Sequence, residues 1–124
     1  VNAPEPHRGE VWFADVPGDK RRPVLVLTRD PTGRLLRSVI CAPVTSTVRG
    51  LATEVSVGEE AGLVCASVAN FDNTLLLARA RLLRRLGRAD RQTMLRACEA
   101  LAIATGCDRS APGQAAGATS RGRA

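Results

Sequence analysis

Arg21-Arg22-Pro23-Val24-Leu25-Val26-Leu27-Thr28 and Val39-Ile40-Cys41-Ala42-Pro43-Val44-Thr45-Ser46-Thr47 are two short aliphatic runs, rich in β-branched residues, each with polar groups gathered at one end. Apolar runs of this length, bounded by turn residues, read as buried strands. As adjacent core strands they suit the task of holding a small reactive surface. Pro23 opens its strand where a missing ladder donor does least harm, and it biases Arg22 toward extended backbone.

Outward from this pair, Gly9 to Val16 reads as strand 1, with Pro17-Gly18-Asp19 as the turn after it. Strand 2 runs from Pro23 to about Thr28, and Arg29 to Gly33 is a second turn region. Strand 3 spans about Ser38 to Val44, with Pro43 near its exit. Thr45-Ser46-Thr47 then sets three hydroxyls just before Arg49. Donors beside a cation are what a phosphate group needs, although a solvated strand end would use the same residues.

Leu51 to Val57 is strand 4, Gly58 to Gly62 a turn, and Leu63 to Val68 a fifth strand. Asn70-Phe71-Asp72-Asn73-Thr74 is a polar bend whose Asn and Asp edges could read bases, or simply make the turn. Leu75 to Leu86 alternates in part, with Arg79 and Arg81 on one face. Six arginines fall from Arg79 to Arg91, as either a solvated strand or the basic rim of a nucleic-acid groove. One segment looks helical: Asp90 suits an N-cap, Gly106 a C-cap, and Met94, Cys98, Leu101 and Thr105, widened by Leu95 and Ala102, form its apolar stripe.

The totals frame these elements. A chain of 124 residues buries a core as one domain. Three aromatic residues, Trp12, Phe13 and Phe71, exclude a tier of stacking rings, so a nucleic-acid surface must lean on Arg, hydroxyls and backbone. The net charge of +6, almost all from arginine, fits a polyanionic partner. Cys41, Cys65, Cys98 and Cys107 lack metal-ligand spacing and read as reduced thiols, three of them in apolar core contexts. His7 is the single histidine and stands in a proline-containing leader. No metal site, cofactor, signal segment or membrane span is expected, which makes a cytoplasmic protein the default. The expected division is a flexible leader at 1–7, one domain at 8–107 and a disordered basic tail at 108–124.

Arg8-Gly9-Glu10-Val11-Trp12, Arg22-Pro23-Val24-Leu25-Val26, Ala42-Pro43-Val44-Thr45-Ser46-Thr47, Thr53-Glu54-Val55, Gly62-Leu63, Arg81-Leu82 and Leu86-Gly87, in that order and spacing, resemble the MazF/PemK/Kid toxins of bacterial toxin-antitoxin systems. The segment Thr47 to Val55 resembles the actinobacterial, mycobacterium-type members most. The resemblance covers about residues 8 to 106. It implies a mainly β fold, a small SH3-like (CcdB/PemK-like) barrel with a C-terminal helix, assembled as a homodimer. It also implies a metal-independent endoribonuclease that cuts single-stranded RNA to 2′,3′-cyclic phosphate and 5′-hydroxyl ends, neutralised by a cognate antitoxin with an acidic C-terminal segment.

Carried over position by position, the resemblance makes Arg22, before the proline opening strand 2, the catalytic arginine. Thr45, two residues after the proline closing strand 3, becomes the catalytic threonine. Arg21, Ser46, Thr47, Arg49, Asn70, Asp72, Asn73, Arg79 and Arg81 are candidates for substrate contact, and Glu54 reads as structural. The chain departs from many family members in the short span Pro17 to Arg21 between strands 1 and 2, where they carry a longer loop with a Gly-Ser-Glu-Gln-like segment. Contacts made by that segment are therefore absent or moved here. Two rivals share parts of the pattern: a gyrase-poison toxin of the same fold, which needs no Arg22/Thr45 pair, and a noncatalytic RNA-binding module.

Overall fold

The computed structural model describes residues 4–30 and 36–107. Among them, seven strands and one α-helix follow in order: β1 (Glu10–Ala14), β2 (Arg22–Val26), β3 (Ser38–Thr45), β4 (Glu54–Val57), β5 (Ser67–Asn70), β6 (Leu75–Ala78), β7 (Leu82–Arg88) and α1 (Arg91–Thr105). The strand pairs are antiparallel and run β4-β5-β3-β2-β1-β7, with β6 also on β3. The fold is thus mostly β-sheet with one C-terminal helix, and the hydrogen-bonded path is open, ending on β4 and β7.

β3 is the hub because it pairs three ways. One side meets β2 from Cys41 to Pro43; the other meets β6 from Ser38 to Cys41 and then β5 at Val44 and Thr45. Pro43 falls in the gap between the β6 and β5 ladders, so its missing N–H interrupts neither. The central parts of β2 and β3 are apolar on both faces because each face joins a buried cluster, although Ile40 of β3 stays exposed. Val24, Val26, Val39 and Cys41 enter one buried cluster with Ala14, Leu77 and Leu82. Leu25, Leu27, Ala42 and Val44 enter the other, with Val55, Phe71, Ala97 and Ala100. Fully burying an aromatic such as Phe71 is worth about 2 to 3 kcal/mol.

Four expectations need correcting. The fifth strand lies at Ser67–Asn70 rather than 63–68, because Gly62, in the left-handed region at φ 83°, turns the chain and the residues after it round the bend. The stretch from Leu75 to Leu86 is two strands, broken by a 3-10 turn at Arg79–Arg81, so Arg79 and Arg81 do not share a strand face. The helix turns a shifted stripe inward: Thr93, Ala97 and Ala100 are buried and the expected Met94 and Leu101 pack against the core, while Leu95 is 52% exposed and Cys98 and Thr105 face outward. Small side chains let α1 lie close against β4 and Phe71, which bulkier Leu95 would prevent. Of the cysteines, only Cys41 is in the core, and burial pushes its thiol up to about 12; Cys65, Cys98 and Cys107 are exposed.

Both helix ends follow their sequence signals. Asp90 Oδ1 accepts from the Thr93 N–H at 2.8 Å, and that hydrogen bond holds its carboxyl below the usual aspartate range. Gly106, at φ 74°, closes the helix with its N–H on the carbonyls of Ala102 and Ile103. In the leader, His7 is tied in through its N–H to Glu10 Oε1 at 2.8 Å. The expected tail at 108–124 lies outside the described residues. Among the described residues, no helix is long and apolar enough to cross a membrane.

Candidate functional site

The register that pairs Val24 with Pro43 and Leu25 with Ala42, continued two residues, brings Arg22 opposite Thr45. The start of β2 and the end of β3 therefore deliver a guanidinium and a hydroxyl to one place. Around them opens a cleft of about 410 Å³, lined also by Asp19, Thr47, Arg49, Glu54, Asn70 and Asn73 on its polar side, and by Val16, Pro17, Pro43 and Leu75 on its apolar side.

Arg22 is held rather than free. Its Nε lies 2.9 Å from Asp19 Oδ2, its Nη2 donates to Asp19 Oδ1 at 3.2 Å, and its Nη1 reaches the Val44 carbonyl at 3.5 Å. The side chain is only 19% exposed. Asp19 owes its place to a tight turn, in which its N–H donates to the Val16 carbonyl across Pro17 and Gly18, with Gly18 at φ 76°. The Lys20 N–H, then the Arg22 guanidinium, hold the Asp19 carboxyl below the usual aspartate range.

Thr45 is oriented by its own chain. Its Oγ1 accepts from the Thr47 N–H at 3.1 Å, which leaves the hydroxyl proton available for an acceptor in the cleft. Beyond it the chain loops around Glu54, whose Oε1 accepts from three successive N–H groups, those of Arg49, Gly50 and Leu51, at 3.0, 2.9 and 3.3 Å. Gly50 at φ 74° makes that nest possible. Glu54 thus fixes the loop that carries Arg49 to the cleft wall, in keeping with its structural reading.

The bend after β5 is partly spent on itself. Asn70 Oδ1 accepts from the Asp72 N–H at 2.9 Å, and Asp72 Oδ2 accepts from the Thr53 hydroxyl at 2.7 Å. Asn70 and Asn73 line the cleft; Asp72 does not. Of the candidate residues, the structure brings together Arg22, Thr45, Thr47, Arg49, Asn70 and Asn73. Arg21 and Ser46 are exposed outside the lining, Arg79 stands in the 3-10 turn, and Arg81 pairs with Asp15 at 3.3 Å. Sequence reasoning missed Asp19 as a site residue. Pro17-Gly18-Asp19 signalled a turn, but only its three-dimensional closure brings the aspartate onto Arg22.

Both carboxylates of the cleft are thus engaged, Asp19 by Arg22 and Glu54 through Oε1 by backbone N–H groups, while among the described residues the Arg49 guanidinium makes no ion pair. No group of three or more His, Cys, Asp or Glu among the described residues could hold a metal ion. Arginine, hydroxyl and carboxamide donors thus converge on one hollow of a small β protein, a set of groups that can take an anion.

The comparisons with known proteins narrow that class. Residues 7–105 match the model of the PemK-like, MazF-like toxin of type II toxin-antitoxin systems, and the chain belongs to this family. It is 42% identical over 101 residues to the probable endoribonuclease MazF2 of Mycobacterium tuberculosis, covering 81% of this chain and 98% of that protein. Among solved structures it is similar to the Mycobacterium tuberculosis toxin MazF-mt6, with a TM-score of 0.75, 39% identity, and 80% and 98% of the two chains covered. It is also similar to a mycobacterial endoribonuclease in complex with its cognate antitoxin, with a TM-score of 0.75, 31% identity, and 83% and 97% covered.

Proposed function

We propose that this chain is an endoribonuclease toxin that cuts single-stranded RNA within the cleft of Arg22 and Thr45. The observation that carries the reading is their convergence from adjacent strands in a family whose relatives are named endoribonucleases. In the proposed reaction a ribose 2′ oxygen attacks the adjacent phosphorus, the bond from phosphorus to the 5′ oxygen breaks, and the products carry a 2′,3′-cyclic phosphate and a 5′-hydroxyl. The 2′ proton leaves to a base and the departing 5′ oxygen gains one. Arg22 supplies donors to the phosphate oxygens as charge builds, and the Thr45 hydroxyl donates to the same centre. The part given to Arg22 is that of a donor, since a guanidinium offers planar N–H groups matched to phosphate oxygens. Thr47, Arg49, Asn70 and Asn73 orient the flanking nucleotides.

The functional unit is residues 8–107, its curled sheet taken as the small SH3-like barrel of the family, with no metal or cofactor in the chemistry. The relative solved with its cognate antitoxin supports a similar partner here, whose acidic segment would compete with RNA for the Arg49 side of the cleft. A homodimer belongs to the same reading. Ile40 and Leu76, paired across β3 and β6 and 45% and 70% exposed, are surface that such an assembly would cover.

The test is a substrate with one deoxyribose. Once a cut site is mapped, replacing only the ribose 5′ of the cut should abolish cutting there and spare other sites. Persistent cutting would eliminate 2′ attack. EDTA should leave the rate unchanged, whereas strong inhibition would require a metal.

A further inference from the structure

We propose that Asp19 is a positioning residue for Arg22, and that the short turn between β1 and β2 exists to place it. This rests on the nuclease reading above. Three observations meet at this carboxylate. The turn from Val16 to Asp19 fixes its backbone, the Lys20 N–H takes Oδ1 at 2.7 Å, and the Arg22 guanidinium is gripped side-on through Nε and Nη2. A guanidinium has five N–H donors. Asp19 takes one through Nη2 and the Val44 carbonyl one through Nη1, while Nε faces Asp19 Oδ2 at 2.9 Å as an ion pair without a hydrogen bond, so one N–H on each Nη remains for a phosphate while the grip persists.

An anion in the wall of a phosphate-binding cleft weakens substrate binding through like-charge repulsion. Such a group is useful only if it gives back more in the transition state than it loses in the ground state. Holding Arg22 in one rotamer does this, because an arginine otherwise loses its side-chain freedom at the moment of reaction. Where a longer loop would leave that arginine to be organised by other contacts, this chain organises it with a four-residue turn.

The two effects separate experimentally. Asp19→Asn keeps the shape and an acceptor for the Lys20 N–H but removes the charge; Asp19→Ala removes both. Binding is measured with RNA carrying deoxyribose at the cut site, and cutting under single-turnover conditions with enzyme in excess. For D19N, cutting slows about tenfold, the size of effect expected for loss of a charge-assisted pair, while RNA binds about threefold more tightly as one repulsive charge disappears. A residue that only stabilised the turn would slow cutting without tightening binding. In the Arg22→Ala background, D19N costs no further rate, since nothing is left to position.

A D19N protein that cuts at the wild-type rate, or faster, overturns the proposal; faster cutting would make the pair an inhibitory latch. Additive losses in the double variant overturn it as well. Wild-type protein that leaves RNA intact removes the nuclease reading and this inference with it.

Discussion

Arg22 and two arginines of β7, Arg84 and Arg88, carry the same guanidinium on the same sheet, and the protein treats them in opposite ways; the third, Arg85, is itself held by Glu10 at 2.9 Å. Arg22 is mostly covered, gripped by Asp19 and aimed beside Thr45. Arg84 and Arg88 are exposed on a strand at the end of the sheet path; Arg84 rests over the Phe13 ring, 6.0 Å from its centroid. A held cation can stabilise one developing charge at one point, while a mobile one raises the local concentration of any polyanion. Arginine content alone does not reveal which task a residue serves; its neighbours do.

The contrast is tested most severely by Arg22→Ala, which should slow cutting about a thousandfold, the upper range for loss of one preorganised donor group. The fold should survive, because the side chain packs at the cleft rather than in either core cluster; a melting curve checks this. Thr45→Val should cost somewhat less, about a hundredfold. Activity retained in either variant would dissolve the distinction between held and free arginines. By comparison, Arg84→Ala and Arg88→Ala should each weaken RNA binding about threefold, across sequences, and lower the salt slope by about 0.7 each. A loss confined to one cleavage sequence would mean that β7 reads bases.

Smaller still is the effect of mild acid on the pair. The Asp19 carboxyl sits below its usual 3.8 because of the Lys20 N–H and then Arg22. Its grip on Arg22 is therefore complete above that value and fades only as pH falls through the lower folded one. From pH 8 to 5 the ratio of wild-type to D19N cutting rates should stay constant. Asp90 follows the same sign: its cap contributes fully above 3.8 and is lost below it, so the melting temperature of Asp90→Ala should converge on wild type only in strong acid.

The same contrast explains what the sequence made legible. The strand ends that carry Arg22 and Thr45 were readable because prolines mark the ends of two apolar runs, while the roles given to the two residues came from the family resemblance. Asp19 was not, because its role comes from three-dimensional closure of a turn onto a residue three positions away. The break at Arg79–Arg81 carries no Gly or Pro to announce it, and the alternation continued through it. The helix face went astray for another reason. Hydropathy favoured Leu95 and Cys98, whereas close packing against β4 and Phe71 selected Thr93, Ala97 and Ala100. The switch of β3 between β6 and β5, which puts Thr45 on the cleft, is a tertiary choice that only the hydrophobic clusters on both faces make sense of.

One measurement bears on the whole account. Purified protein and its R22A variant are incubated side by side with a long single-stranded RNA in EDTA, and the new ends are sequenced and chemically typed. The account predicts discrete cuts by the wild-type protein, each leaving a 2′,3′-cyclic phosphate and a 5′-hydroxyl, and intact RNA with R22A. Ends carrying 5′-phosphate and 3′-hydroxyl, or equal cutting by both proteins, would contradict it.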